Sequence, residues 1–190
     1  MAAILIVYGT SEGQTAKVAE RLAGTLAERG HDATVVDTGS RADADPAEFD
    51  GTLVGSSIHV GKQQAGVTGF VTANRDSLAE QPTGLFQLSL SSAADEPERR
   101  AAAAGYVDSF VEATGWQPDR VGLFGGALRY SEYGFLKRLV MKRIAREATG
   151  DTDTARDYDY TDWGEVEAFA NDFAAFVEGR LGERPGGADD

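Results

Sequence analysis

The densest chemistry in the chain is the run Thr10-Ser11-Glu12-Gly13-Gln14-Thr15. It stands between four consecutive apolar residues, Ile4-Leu5-Ile6-Val7, and a pattern in which Val18, Leu22 and Leu26 recur every four residues. A strand that turns through such a loop into a helix presents free backbone N–H groups at the positive end of the helix dipole. The hydroxyls of Thr10, Ser11 and Thr15 add donors, and the whole is a cradle for a phosphate or similar anion. No lysine or arginine lies in the loop, so it is not the Gly-Lys-Ser/Thr loop of nucleotide triphosphates, and it lacks the three-glycine dinucleotide spacing. A Ser/Thr N-cap opening an ordinary first helix uses the same residue types, and the loop alone leaves both readings open.

A second constellation is electrostatic. From Arg129 to Arg146 there are six basic residues (Arg129, Lys137, Arg138, Lys142, Arg143, Arg146) and one acidic residue, Glu132, in a chain whose net charge is −13. On a helix, Leu136, Val140 and Ile144 share one face, widened by Leu139 and Met141, while Arg138, Lys142 and Arg146 fall nearly opposite. Such a basic amphipathic helix suits an anionic membrane surface or another anionic partner. A solvated helix laying its apolar stripe on the domain has the same pattern. The local charge runs against the bias of the whole chain, which favours the partner reading.

Composition bounds what these groups can do. The 190 residues, 42% hydrophobic, suit one domain with a substantial core. No apolar run approaches the roughly 20 residues that span a bilayer, and no basic region precedes the first apolar run, which reads as a strand of a cytoplasmic protein rather than a secretory signal. The absence of cysteine excludes disulfides, thiolate metal sites and cysteine catalysis, and two histidines, His31 and His59, are too few for a histidine metal site. Only four of the 18 basic residues are lysines. A carboxylate-rich, lysine-poor surface resembles proteins of salt-loving organisms, and an acidic cytoplasmic protein is the plainer account. Nucleic acid is disfavoured as a partner because the net field repels phosphate backbones.

The elements that must position the chemistry alternate. After the first helix, Gly30 suits a C-terminal cap and 33–37 a second strand; 49–55 is the next buried strand, running into Gly55-Ser56-Ser57-Ile58-His59-Val60-Gly61-Lys62. The spacing predicts a helix over 67–78, an alternating strand over 85–90 ending in Ser89-Leu90-Ser91-Ser92, a helix over 98–113 and a last main strand over 121–128. A final helix follows, capped by Thr161 or Asp162, with Val166, Phe169, Ala170, Phe173 and Val177 on its core face. The alternation implies an α/β fold with a doubly wound parallel sheet covered on both faces. The loops after Thr10, Ser56 and Ser89 all leave carboxyl ends of strands, so they should converge on one site. Residues 1–181 form the expected domain, with 129–157 as an insertion and 182–190 as a disordered tail.

The loop Thr10–Thr15 resembles the phosphate loop of flavodoxins, with Glu12 where a third hydroxyl is usual; Glu12 is expected to offer its backbone N–H and turn its carboxylate to solvent. Taken with Gly55-Ser56-Ser57-Ile58, Gly126-Ala127-Leu128-Arg129-Tyr130, Asp151-Thr152-Asp153-Thr154 and Tyr160-Thr161-Asp162-Trp163, the chain over about 4–178 resembles the menaquinone-dependent, flavodoxin-type protoporphyrinogen oxidases of bacteria. The resemblance implies a five-stranded, long-chain flavodoxin-like fold, FMN as cofactor, peripheral attachment to the cytoplasmic membrane face through 133–147, and electron transfer from a porphyrinogen to a quinone. By the same resemblance Thr10, Ser11, Glu12, Gly13, Gln14 and Thr15 would hold the FMN phosphate. Ser56, Ser57, Ile58, His59 and Gly61 would line one side of the flavin ring, and Ser89, Leu90 and Ser91 the other. Arg129 and Tyr130 would meet substrate, Arg129 as a fork for a propionate; Arg138, Lys142 and Arg146 would meet the membrane. The loop after Ser89 has no aromatic residue to cover a flavin, which suits an enzyme whose substrate lies on the ring, unless Tyr130 or Tyr133 folds back over it. The alternative is a soluble flavodoxin-type carrier docking on redox proteins through its acidic surface.

Overall fold

The computed structural model describes residues 1–40, 44–59, 61–93, 97–128, 141, 142, 146, 153 and 157–183. Five parallel strands form one sheet in the order β2-β1-β3-β4-β5: β1 Ala3–Gly9, β2 Asp32–Asp37, β3 Gly51–Ser57, β4 Thr83–Ser89 and β5 Arg120–Gly125. Helices α1 Gln14–Glu28, α2 Ala65–Ala73, α3 Arg75–Ala79, α4 Pro97–Thr114 and α5 Trp163–Glu183 complete the layers. Among the described residues the sheet is covered by an apolar cluster on each face. One packs β1, β3 and β4 against α1 and α5 through Ile4, Ile6, Leu22, Leu53, Phe86 and Phe173; the other packs Val54 and Leu85 against Val67, Val71, Leu78, Phe110 and Trp116.

Several predicted elements shift. The helix expected over 67–78 is two helices, broken at Asn74, whose N–H and side-chain amide both bond to Phe70 O and so terminate α2. The alternation expected in 85–90 is absent: every residue of β4 is buried, because this strand is covered on both faces. The strand expected over 49–55 runs from Gly51 to Ser57. The one expected over 121–128 divides, since the chain leaves the sheet at Gly125 and Ala127–Leu128 (β6) pairs antiparallel with Tyr158–Asp159 (β7). This small ribbon brackets the expected insertion. Helix α5 continues through Glu183, past the expected domain end at 181. Asp162, not Thr161, caps it by accepting from the N–H groups of Gly164 and Glu165. Gly30, at φ +89°, follows the end of α1 as expected.

Close packing also demands glycine at Gly55, where a Cβ would overlap the ring of Phe86, its register partner on β4. The docking of α5 rests on its apolar stripe. Val166, Phe173 and Val177 are fully buried, each worth about 1.5–3 kcal/mol relative to exposure. The ion pairs along its rim to α1, Arg21–Glu167 and Arg29–Glu178, are a third to a half exposed and worth at most about 1 kcal/mol each.

One rim contact is more specific. His31 is buried, its Nδ1 accepts from Ala2 N at 3.2 Å, and its Nε2 therefore carries the proton directed at Glu178 Oε1, 2.9 Å away. Hydrogen bonds from Arg29 and His31, opposed by partial burial, hold the Glu178 carboxyl down at about 2, against an ordinary 4.5. The carboxyl is stronger in the folded chain, so its contribution is complete above 4.5 and disappears as pH falls through about 2. We expect Glu178→Gln to melt below the wild type at neutral pH, and the gap to close as pH is lowered from about 5 towards 2, measured by circular dichroism melts.

Candidate functional site

The switch point of the sheet lies between β1 and β3: the chain leaves β1 towards β2 on one side and leaves β3 towards β4 on the other. Ligand crevices form beyond the carboxyl ends of strands at such a point. The loops after β1, β3 and β4 all exit there.

In the first loop Gly13, at φ +80°, is the N-cap of α1, a left-handed conformation that favours glycine. Thr10 Oγ1 accepts from Gly13 N at 2.9 Å and closes the loop on itself, and no side chain caps the helix. The N-cap alternative is therefore not what the hydroxyls do. Thr15, in the first turn, is fully buried, and its Oγ1 has no hydrogen-bond partner among the described residues. A hydroxyl in that position costs about 1–3 kcal/mol, and most such groups are paired. Its orphaned state at the base of an uncapped helix start fits a ligand oxygen. Ser11 is exposed and Thr10 half-buried. Glu12 is half-buried. Gln14 directs its side-chain amide to Asp159 Oδ1 and Thr161 Oγ1, at 2.9 and 2.8 Å.

In the second loop Ser56 is buried: its hydroxyl accepts from Gln64 N and donates to Ser57 O. Ser57 Oγ accepts from Gln64 Nε2. These side chains hold the loop's shape from within. Ile58 N extends the ladder to Leu88 O; His59 and Lys62 exchange backbone hydrogen bonds across a tight turn whose third residue, Gly61, has φ +75°. His59 is exposed and Ile58 half-buried. Below the loop, Gln63 Nε2 donates to Gln87 Oε1 and Tyr106 O, and Gln87 Nε2 to Ala103 O, which ties the loop to β4 and α4.

The third loop is tied likewise. Ser89 Oγ accepts from Ser92 N and shares a hydroxyl contact of 2.7 Å with Ser92, while Leu90 and Ser91 are half-buried. Leu90, Met141, Tyr158 and Tyr160 are partly buried at the edge of one apolar cluster. The rings of Tyr158 and Tyr160 are parallel, 6.0 Å apart. Sequence reasoning named Tyr130 and Tyr133 as the possible covering rings and missed this pair. Its signal was available: two tyrosines two apart project to one side of an extended segment. Lys142 and Arg146 are exposed; Arg129, Tyr130 and Arg138 lie outside the described residues, as does Tyr133. Among the described residues no group of three or more His, Cys, Asp or Glu side chains is arranged to hold a metal, and no helix is long and apolar enough to cross a membrane.

A five-stranded parallel sheet with an uncapped, hydroxyl-rich loop at its switch point defines the class: the chain belongs to the flavodoxin-domain family, whose flavodoxin domain matches residues 5–155. Within that family it stands with the protoporphyrinogen IX dehydrogenases (quinone). It is 32% identical over 175 residues to the enzyme of that name from Escherichia coli (strain K12), covering 92% of this chain and 96% of the relative. Its identity to the protein of the same name from Leishmania major is 31% over 172 residues, covering 90% and 74%. Among solved structures, oxidised flavodoxin 1 of Bacillus cereus superposes with a TM-score of 0.55 at 12% identity, covering 91% of this chain and 97% of that one.

Because the Thr15 hydroxyl has no partner among the described residues, Thr15→Val should raise the stability of the ligand-free chain by about 1 kcal/mol in urea denaturation. A loss of stability would show that the hydroxyl is already satisfied.

Proposed function

We propose that this chain is an FMN-dependent protoporphyrinogen IX dehydrogenase that delivers electrons to a quinone. The observation that carries the cofactor reading is the buried Thr15 hydroxyl, without a partner among the described residues, in an uncapped helix start at the switch point of a flavodoxin-type sheet. The kinship with the two dehydrogenases carries the reaction. The residues present fit FMN. Its phosphate would be held by the hydroxyls of Thr10, Ser11 and Thr15 and by backbone amides at the start of α1, the Gly13 N–H being already given to Thr10 Oγ1. When bound, FMN would supply the redox chemistry two electrons at a time, so the six-electron oxidation of the porphyrinogen to the porphyrin would need three rounds, each returning its electrons to quinone.

The chain's own residues bind and orient. Ser57, Ile58, His59 and Gly61 on one side, and Leu90 and Ser91 on the other, would bound the flavin, with Ser56 and Ser89 holding those loops from behind. His59 is exposed at the rim and able to meet the ring edge or its substrate. Arg129 would give the planar fork that recognises a propionate carboxylate, with Tyr130 beside it. The segment 133–147, through Arg138, Lys142 and Arg146, would bring the site to an anionic membrane surface where a quinone is available.

The test is anaerobic. FMN-loaded protein mixed with protoporphyrinogen IX and menaquinone should develop porphyrin fluorescence, while Thr15→Val should bind FMN about tenfold or more weakly. Loaded protein that gives no fluorescence would overturn the substrate, and wild-type protein that takes up no FMN would overturn the cofactor. Separately, wild-type protein should co-sediment with anionic vesicles and not with neutral ones, and charge reversal at Arg138, Lys142 and Arg146 should abolish the binding. Unchanged sedimentation of the variant would remove the membrane assignment.

A further inference from the structure

Thr161 joins three distant parts of the chain. Its Oγ1 donates to Gly125 O at the end of β5, 2.9 Å away, and accepts from Gln14 Nε2 at 2.8 Å. Its N–H is held at 3.0 Å by Asp159 Oδ1, which also accepts from Gln14 Nε2. The Gln14 amide, which has two N–H groups, thus meets two acceptors on the far side of the insertion. Tyr160 N donates to Gly126 O and Gly126 N to Ser89 O, which carries the same network into the third loop. Gln14 and Thr161 are 4% and 9% exposed, so water cannot readily replace the bond between them. The fit leaves no slack at Gly125, where a Cβ would overlap the Tyr160 carbonyl.

Gln14 is the first residue of α1 and belongs to the anion cradle through its backbone N–H. We propose that Gln14, Asp159 and Thr161 form a positioning clasp that makes anion binding in the Thr10–Thr15 loop and docking of the β6–β7 ribbon one coupled equilibrium. An anion that fixes the start of α1 fixes the Gln14 side chain, and through it the strand that brings the chain back from residues 129–157. Linkage makes the effect reciprocal: a docked ribbon preorganises the cradle. This inference rests on the FMN reading above for the identity of the anion. The clasp itself rests only on the hydrogen bonds.

The experiment uses the full chain with FMN as probe and reads flavin fluorescence quenching. Thr161→Val should weaken FMN about tenfold, within the usual range of coupling between sites, and Thr161→Ser should restore it. Gln14→Met should match Thr161→Val, and the double variant should be no weaker than the worse single one, because both break the same bond. Unchanged affinity in folded Thr161→Val, or a double variant whose loss is the product of the single losses, would overturn the clasp. Amide exchange of the FMN-free proteins supplies the second reading. Exchange in 10–15 should quicken in Thr161→Val although the substitution is far away in sequence, and equal exchange would overturn the proposal even if the wild type proves to bind no FMN. Should Thr161→Val fail to fold, the comparison of Gln14→Met with wild type decides by the same two measurements.

Discussion

Strands β3 and β4 have no watery side. All of β4 is buried, and so is all of β3 except Ser57. Leu53, Val54, Leu85 and Phe86 give each strand apolar contacts, while the polar residues enclosed with them must find partners inside the protein. They do: Thr52 bonds to Gln81, Gln87 to Ala103 and Gln63, and Ser56 to its own loop. A sheet so committed can display chemistry only where its strands end. That constraint explains why three loops meet at one edge, and why polar side chains just beneath them are spent on holding loop shape.

The same edge has an electrostatic problem. On the proposed reading, a phosphate would be received by a molecule of net charge −13, through a loop without a cation of its own. Neutral donors succeed at short range because the amides at a helix start are oriented in advance, and a buried hydroxyl costs nothing further to desolvate once the fold has enclosed it. The repulsion comes from carboxylates spread over the surface, and salt screens exposed charges beyond about 8–10 Å. Local geometry therefore outweighs global charge.

Much of this was legible in the residues. The alternation of strands and helices, the first loop and the face of α5 all follow from patterns within a dozen residues. Most of what escaped was set by neighbours elsewhere in the fold, the break at Asn74 being the local exception. The alternation expected around Leu85–Leu90 vanished because both faces of that strand are covered. The helix over 67–78 broke where Asn74 turned its side chain back onto Phe70. The last strand was drawn too long because nothing local says that Ala127 and Leu128 belong to a different sheet. Gln14 was read as part of a phosphate loop, and its bond to Thr161 spans 147 positions, a separation that leaves no mark in any local pattern.

The β6–β7 ribbon has one more consequence. Ala127 lies opposite Asp159 and Leu128 opposite Tyr158, so the two ends of the intervening excursion are held about one strand spacing, ~4.8 Å, apart. Closing a loop onto ends already fixed costs free energy that grows only with the logarithm of its length. The ribbon thus behaves as a socket: segments of different length or chemistry can be exchanged above it while β5 and α5 keep their places. The sheet and the module it carries are free to diversify at different rates.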